Sequence, residues 1–236
     1  MHRTTWWMPL AACAFLAGSA FAGPIACEQA TLDWYVSLET GCMVGQFQVK
    51  DFTFASLAAT GGYIPIAASD VTVIPALGPQ GGPQLRFVFP EAGFGVTGSQ
   101  SAAYGLGYGI DPPPVIIRFD EEMEAESPVG RGRAQIFTDL CIGALFYGDS
   151  CGDALSASLT VYHWGDSGRK LTDSAIFPYA VGIVGVRHRI ELDANGDSAD
   201  FGALGNRAGA IPEPSTGLLS AFALLGLALA ARRRAA

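Results

Sequence analysis

Lysine and histidine are nearly missing from this chain. Lys50 and Lys170 are its only lysines, and His2, His163 and His188 its only histidines. With 14 basic against 22 acidic residues, the net charge is −8. A chain this acidic repels phosphate backbones and anionic lipid, so no nucleic acid is expected as a partner. Scarce histidine also narrows the chemistry. A Ser-His-Asp arrangement would have to use His163 or His188, and no G-x-S-x-G elbow is present. Gly165-Asp166-Ser167-Gly168 looks like the surroundings of a trypsin-type nucleophile. The only histidine upstream of it in the body is His163, too near in sequence to act as a base from a separate strand, and the tetrapeptide reads as a β-turn. No C-x-x-C pair or Cys/His cluster points to zinc. Gly105-Leu106-Gly107-Tyr108-Gly109 lacks the strand-to-helix context of a phosphate cradle, and Pro112-Pro113-Pro114 breaks the chain behind it. A glycosidase needs only two carboxylates across a cleft, but nothing in the sequence selects a pair. The expectation is a non-enzyme without cofactor or metal.

Helical periodicity is also lacking between residues 23 and 207. Short alternating or β-branched stretches recur there between glycines and prolines, which predicts an all-β fold, an antiparallel β-sandwich. Phe47 and Val49 share one phase and Phe52 and Phe54 the other, so a bulge or turn is expected at Lys50-Asp51. Val71 to Ile74 reads as a short strand ended by Pro75, and Gly78 to Pro83 as a connection. Leu85, Phe87 and Phe89 alternate cleanly. Tyr104, Leu106 and Tyr108 alternate with glycines in a less regular section. Val115 to Phe119, Gln135 to Leu140 and Leu155 to Val161 add further strands. Phe177 to Leu192 reads as one long strand bending at Gly182 or Gly185, and Asn195-Gly196 as the turn of a final hairpin.

Cys27, Cys42, Cys141 and Cys151 remain in this body, and four cysteines in an exported chain predict two disulfides. Sequence alone permits three pairings. The local ones, Cys27–Cys42 and Cys141–Cys151, are favoured, and each such loop closure contributes about 3 kcal/mol in the chain-entropy model.

Three further stretches invite a binding role. Asp193-Ala194-Asn195-Gly196-Asp197, followed by Asp200, has oxygen ligands at alternate positions, as calcium loops do. Leu204 stands where a complete loop needs a bidentate Glu, and a plain hairpin is the favoured reading. Asp120, Glu121, Glu122, Glu124 and Glu126 crowd five carboxylates together. A solvated strand end or loop is expected there, partly neutralised by Arg131 and Arg133. Trp34, Tyr35, Tyr104, Tyr108 and Trp164 are candidate stacking surfaces for sugar rings, with core packing favoured for most of them.

The two ends carry the clearest signals. Met1-His2-Arg3, the apolar stretch Trp6 to Phe21 and the Ala20-Phe21-Ala22 site read as a cleaved secretory signal peptide, residues 1–22. Leu10-Ala11-Ala12-Cys13 matches a lipobox, but the apolar run continues past Cys13. Far downstream, Pro212-Glu213-Pro214 precedes the uncharged run Gly217 to Ala231 and then Arg232, Arg233 and Arg234. As a helix that run reaches roughly 22 Å at about 1.5 Å per residue, short of a hydrocarbon core of about 30 Å. The arginines place their end on the cytoplasmic side. Without Arg3, Glu213 and the three terminal arginines, the body carries a net charge of about −11.

Polar motif, short apolar helix and basic stop together resemble the PEP-CTERM sorting tail. The body also resembles PEP-CTERM surface proteins of unassigned activity, in the segment Cys42 to Phe54, the pair Cys141 and Cys151, and a late strand pair before the tail. No catalytic residues come across with that resemblance. It implies export through the inner membrane and processing by an exosortase-type membrane protease. It also implies residence at the cell surface or in an extracellular polysaccharide matrix, with the C-terminal helix as a transient anchor in the bacterial membrane. The expected organisation is signal peptide 1–22, secreted sandwich 23–207, linker with motif 208–216, and transmembrane helix with basic stop 217–236. The expected role is structural or adhesive. A carbohydrate-binding module, or a carboxylate-dependent glycosidase, is the alternative.

Overall fold

The computed structural model describes residues 24–91, 94–111, 115–124, 127–148 and 150–211. The signal peptide, Pro112 to Pro114, Glu126, the Pro212-Glu213-Pro214 motif and the apolar run behind it lie outside the described residues. In chain order the elements are β1 (Ile25–Ala26), β2 (Ala30–Thr31), α1 (Leu32–Val36), β3 (Cys42–Val44), β4 (Phe47–Thr60), β5 (Thr72–Leu77), β6 (Pro83–Val88), β7 (Val96–Thr97) and β8 (Ser101–Asp111). They continue with β9 (Ile116–Glu124), β10 (Arg133–Ile142), β11 (Leu155–His163), β12 (Arg169–Lys170), β13 (Thr172–Val181), β14 (Val184–Asp193), β15 (Ser198–Ala199) and β16 (Ala203–Ala210). The protein is all-β.

A larger sheet runs in the order β1-β3-β4-β8-β14-β10-β11-β12, and a smaller one in the order β13-β9-β16-β6-β5-β2. The short strands β15 and β7 pair on their own. Pairing is antiparallel except between β1 and β3. Side chains of period two fill the space between the sheets. Tyr104, Leu106 and Tyr108 of β8, Ile136 and Leu140 of β10, and Val186 and Ile190 of β14 meet Leu85 and Phe87, Phe119 and Met123, and Leu204 from the smaller sheet. Burying a side chain such as Phe87 contributes about 1.5–3 kcal/mol, which is what the alternation in sequence encodes. Disulfides Cys27–Cys42 and Cys141–Cys151 fasten β1 to β3 and the end of β10 to the loop before β11, with Cα atoms 4.9 and 5.4 Å apart.

The expected shift of phase in β4 is a slip of register between Lys50 and Thr53, with Asp51 at a φ of 56°. Four expectations need correction. Strand β5 does not stop at Pro75 but runs to Leu77, with Pro75 opposite Leu85. Beyond Val73 it has no partner on its other side, where a missing N–H costs nothing. Phe177 to Leu192 is not one bent strand. The chain leaves the smaller sheet at Val181 and enters the larger at Val184, crossing between layers at Gly182 and Ile183. The Asn195-Gly196 turn forms, with both φ angles positive and Asp197 N donating to Ala194 O at 2.8 Å. Its flanks do not form a hairpin, because β14 lies between β8 and β10 while β15 pairs with β7. Lastly, Ala208 to Ala210 continue β16 rather than a linker, and Ile211 N still donates to Val115 O at 3.0 Å.

Candidate functional site

Inward-facing positions are not all apolar. Glu121 replaces an apolar residue between Phe119 and Met123, Thr138 between Ile136 and Leu140, His188 between Val186 and Ile190, and Asn206 between Leu204 and Ala208. Each is at most 2% exposed. Thr138 Oγ1 donates to Glu121 Oε1 at 2.5 Å and lies 2.6 Å from His188 Nδ1. A threonine hydroxyl has one proton, so His188 supplies the second bond from a protonated Nδ1. Tyr108 Oη donates to Asn206 Oδ1 at 2.8 Å. The Thr138–Glu121 and Tyr108–Asn206 bonds cross from the larger sheet to the smaller, so they fix how the layers sit. Burial and the nearby Glu121 charge push the Tyr108 hydroxyl far above the usual phenol range. Glu121 Oε2 and His188 Nε2 have no hydrogen-bond partner among the described residues. The constellation has the residue types of an acid–base site but no access for a substrate.

The outer face of the smaller sheet is different. Gln84 of β6, Arg207 of β16, Asp120 of β9 and Ser174 of β13 stand side by side in one row across four strands. Along β16 the outward positions on either side of Arg207 are Gly205 and Gly209. This leaves a groove of about 330 Å³ lined by Gln84, Arg118, Asp120, Glu122, Arg207 and the hydroxyls of Thr172 and Ser174, with no apolar side chain in it. Arg118 Nε holds Asp120 at 2.6 Å, Arg86 holds Glu124 at 2.8 Å and Lys170 holds Asp173 at 2.7 Å. Burial works to raise the Asp173 carboxyl, but Lys170 and the backbone N–H groups of Thr160 and Ser174 outweigh it and hold the pKa below the usual range. The Arg207 side chain makes no hydrogen bond or ion pair among the described residues, and its Nε is buried without a partner.

The expected solvated strand end or loop at Asp120 to Glu126 is corrected at Glu121, which is buried, while the segment up to Glu124 is the end of a strand. Strand β9 lies inside the smaller sheet between β13 and β16, and its alternation sends Glu121 into the core while Asp120, Glu122 and Glu124 stay outside. Arg86 and Arg118 neutralise the run; Arg131 instead sits 3.6 Å from Asp197. In the candidate calcium loop, Asp193 Oδ1 accepts from Asn195 N and Asp197 Oδ2 from Arg131 N, which turns those carboxylates to the backbone. Among the described residues no three His, Cys, Asp or Glu side chains gather in a group fit for a metal ion. Tyr35, Tyr104 and Tyr108 are core, and Trp34 packs against it. Trp164 stacks on Tyr162 at 4.3 Å, with Arg133 above it. Gly165 to Ser167 form a short 3₁₀ turn.

Sequence reasoning passed over Thr138, Asn206 and Arg207. The first two were detectable as polar residues in an inward phase, whereas Arg207 carries no such mark.

Residues 210–234 match the model of the PEP-CTERM protein-sorting motif. No curated protein matches the chain. Among solved structures, it is similar to TmCBM61 in complex with β-1,4-galactotriose, at a TM-score of 0.32 and 13% identity over 67% of this chain and 85% of that one. It is also similar to the enzymatically active domain of tailspike protein 4 from bacteriophage CBA120, at a TM-score of 0.23 and 12% identity over 68% of this chain and 19% of that one. Both likenesses are too slight to carry an argument. The tail match is of another kind, since it falls on the segment that follows directly from β16 and holds Pro212, Glu213 and Pro214. The chain thus carries a PEP-CTERM protein-sorting motif, and that motif implies a protein exported and sorted to the cell surface.

Proposed function

We propose that this protein is a non-catalytic component of the cell surface or extracellular matrix, with a structural or adhesive role. A signal peptide over residues 1–22 starts its export. The apolar run after Pro214 holds it in the membrane until an exosortase-type protease processes the tail. The sorting motif at residues 210–234 is the observation that carries this reading. A non-catalytic body is supported by the sealing of Glu121, Thr138 and His188 between the sheets. In the Glu213→Ala variant, a longer, uncleaved species should accumulate in the membrane fraction. Maturation indistinguishable from wild type would mean the tripeptide is not read, and the sorting reading would fail.

A second reading, a carbohydrate-binding module, is favoured by the open polar groove on the smaller sheet. The candidate aromatics give it less support. Three are core, and Trp164 is engaged by Tyr162 and Arg133.

A further inference from the structure

We propose that the groove on the outer face of the smaller sheet is a binding site for a carboxylate-bearing saccharide, with Arg207 as the residue that takes the carboxylate. The proposal deepens the surface reading above, and rests on it for the source of the ligand.

Arg207 is half-buried in the middle of the sheet, beside a carboxylate, and yet its side chain has no partner among the described residues. Its neighbour across the ladder, Asp120, is held by Arg118. A guanidinium that has lost part of its water without gaining an acceptor is costly, and a carboxylate is the partner its planar fork fits best. The groove leaves room for one. Gly205 precedes Arg207 on the same face of β16 and leaves space on that side, whereas the Gln80 side chain stands over Gly209 on the other. At about 330 Å³ it falls at the small end of the ligand-pocket range of about 300–1,000 Å³.

The rest of the lining selects a polyhydroxylated body. Gln84 brings an amide, Thr172 and Ser174 bring hydroxyls, and the exposed Glu122 brings an acceptor with no partner of its own among the described residues. Such a set exchanges hydrogen bonds with sugar hydroxyls in both directions. A peptide carboxylate would arrive with side chains, and the groove's lining includes no apolar residue to receive them. Asp120 and Glu122, together with a net charge of −8, disfavour a densely anionic polymer. One carboxylate per occupied site is what the charges allow, as in a uronic acid unit.

The test titrates the full chain, purified in detergent micelles, with a gluco-oligosaccharide that carries a single glucuronic acid unit and with the neutral gluco-oligosaccharide of the same length. The uronate should bind at least about tenfold more tightly, a difference of about 1.4 kcal/mol. Arg207→Gln should abolish that preference with the melting temperature unchanged. Gly205→Leu, which fills the groove and leaves Arg207 in place, should weaken both sugars. Equal affinity for the two sugars, or an unchanged preference in Arg207→Gln, would overturn the proposal. So would tighter binding of an acetylated tripeptide with a free carboxylate, which would make the occupant a peptide. None of these measurements depends on tail processing. Failed binding with normal Glu213→Ala behaviour therefore sinks the groove alone, and the reverse result sinks the sorting reading.

Discussion

Strands β8 and β16 face each other through the core, joined by the Tyr108–Asn206 bond, and both carry glycines on their outer faces. Their surroundings differ. On β8 the glycine surface is partly covered by the protein itself, with grooves of about 310 and 370 Å³ left beside it. A Cβ on Gly105 would touch Leu57, one on Gly107 would meet Thr53 Oγ1 at 2.8 Å, and one on Gly109 would meet Leu145 Cδ2. The loop that supplies Leu145 also lays Phe146 over Gly185 of β14, and Arg187 stacks on the Phe146 ring at 4.4 Å. On β16 the space beside Gly205 holds little. A Cβ there would find Glu124 Oε1 at 3.2 Å and Glu122 Cβ at 3.7 Å. What stands over each glycine thus differs: the loop of Leu145 and Phe146 sits over Gly109 and Gly185 of the larger sheet and Gln80 over Gly209 of the smaller, while Gly205 leaves its groove open.

Substitutions can strain this contrast. The largest effect should come from Gly185→Val, because its Cβ would lie 3.0 Å from the backbone nitrogen of Phe146, which cannot swing aside as a side-chain end can. A loss of about 2–3 kcal/mol in denaturant unfolding is expected, in the upper part of the overpacking range. A loss well below that would mean the loop is not seated on the glycines. Next comes Tyr108→Phe, which leaves Asn206 Oδ1 in the core without its donor. It should cost about 1–2 kcal/mol by the same measurement. A neutral result would remove the link between the two strands. The smallest effect belongs to Gly205→Ala, expected to stay within about 0.5 kcal/mol of wild type because its Cβ enters open space beside flexible carboxylates. Destabilisation as large as that of Gly185→Val would show that the smaller sheet is as tightly covered as the larger.

Much of the fold was legible in single stretches. The alternation of Leu85 and Phe87, or of Tyr104, Leu106 and Tyr108, is enough to place these residues inside a sheet. What stayed hidden depends on partners distant in sequence. Pro75 looked like a strand end because nothing local reveals that β5 is unpaired on one side from that point. Glu121 looked solvated because it sits among other carboxylates. Its phase, set by Phe119 and Met123, points inward, but only Thr138 and His188 from two other strands make that position tenable. The groove was less legible still. Arg207 matters because Arg118 takes Asp120 away from it, a competition among three side chains on two strands that no spacing rule encodes.

The position of β16 has a mechanical consequence. It lies inside the smaller sheet, laddered to β9 on one side and β6 on the other, and the chain passes from it into the sorting segment. Tension applied from residue 211 onward runs along the strand axis and loads both ladders at once, in shear, rather than peeling bonds open one by one. The strand that would take such a load is the one that carries Arg207.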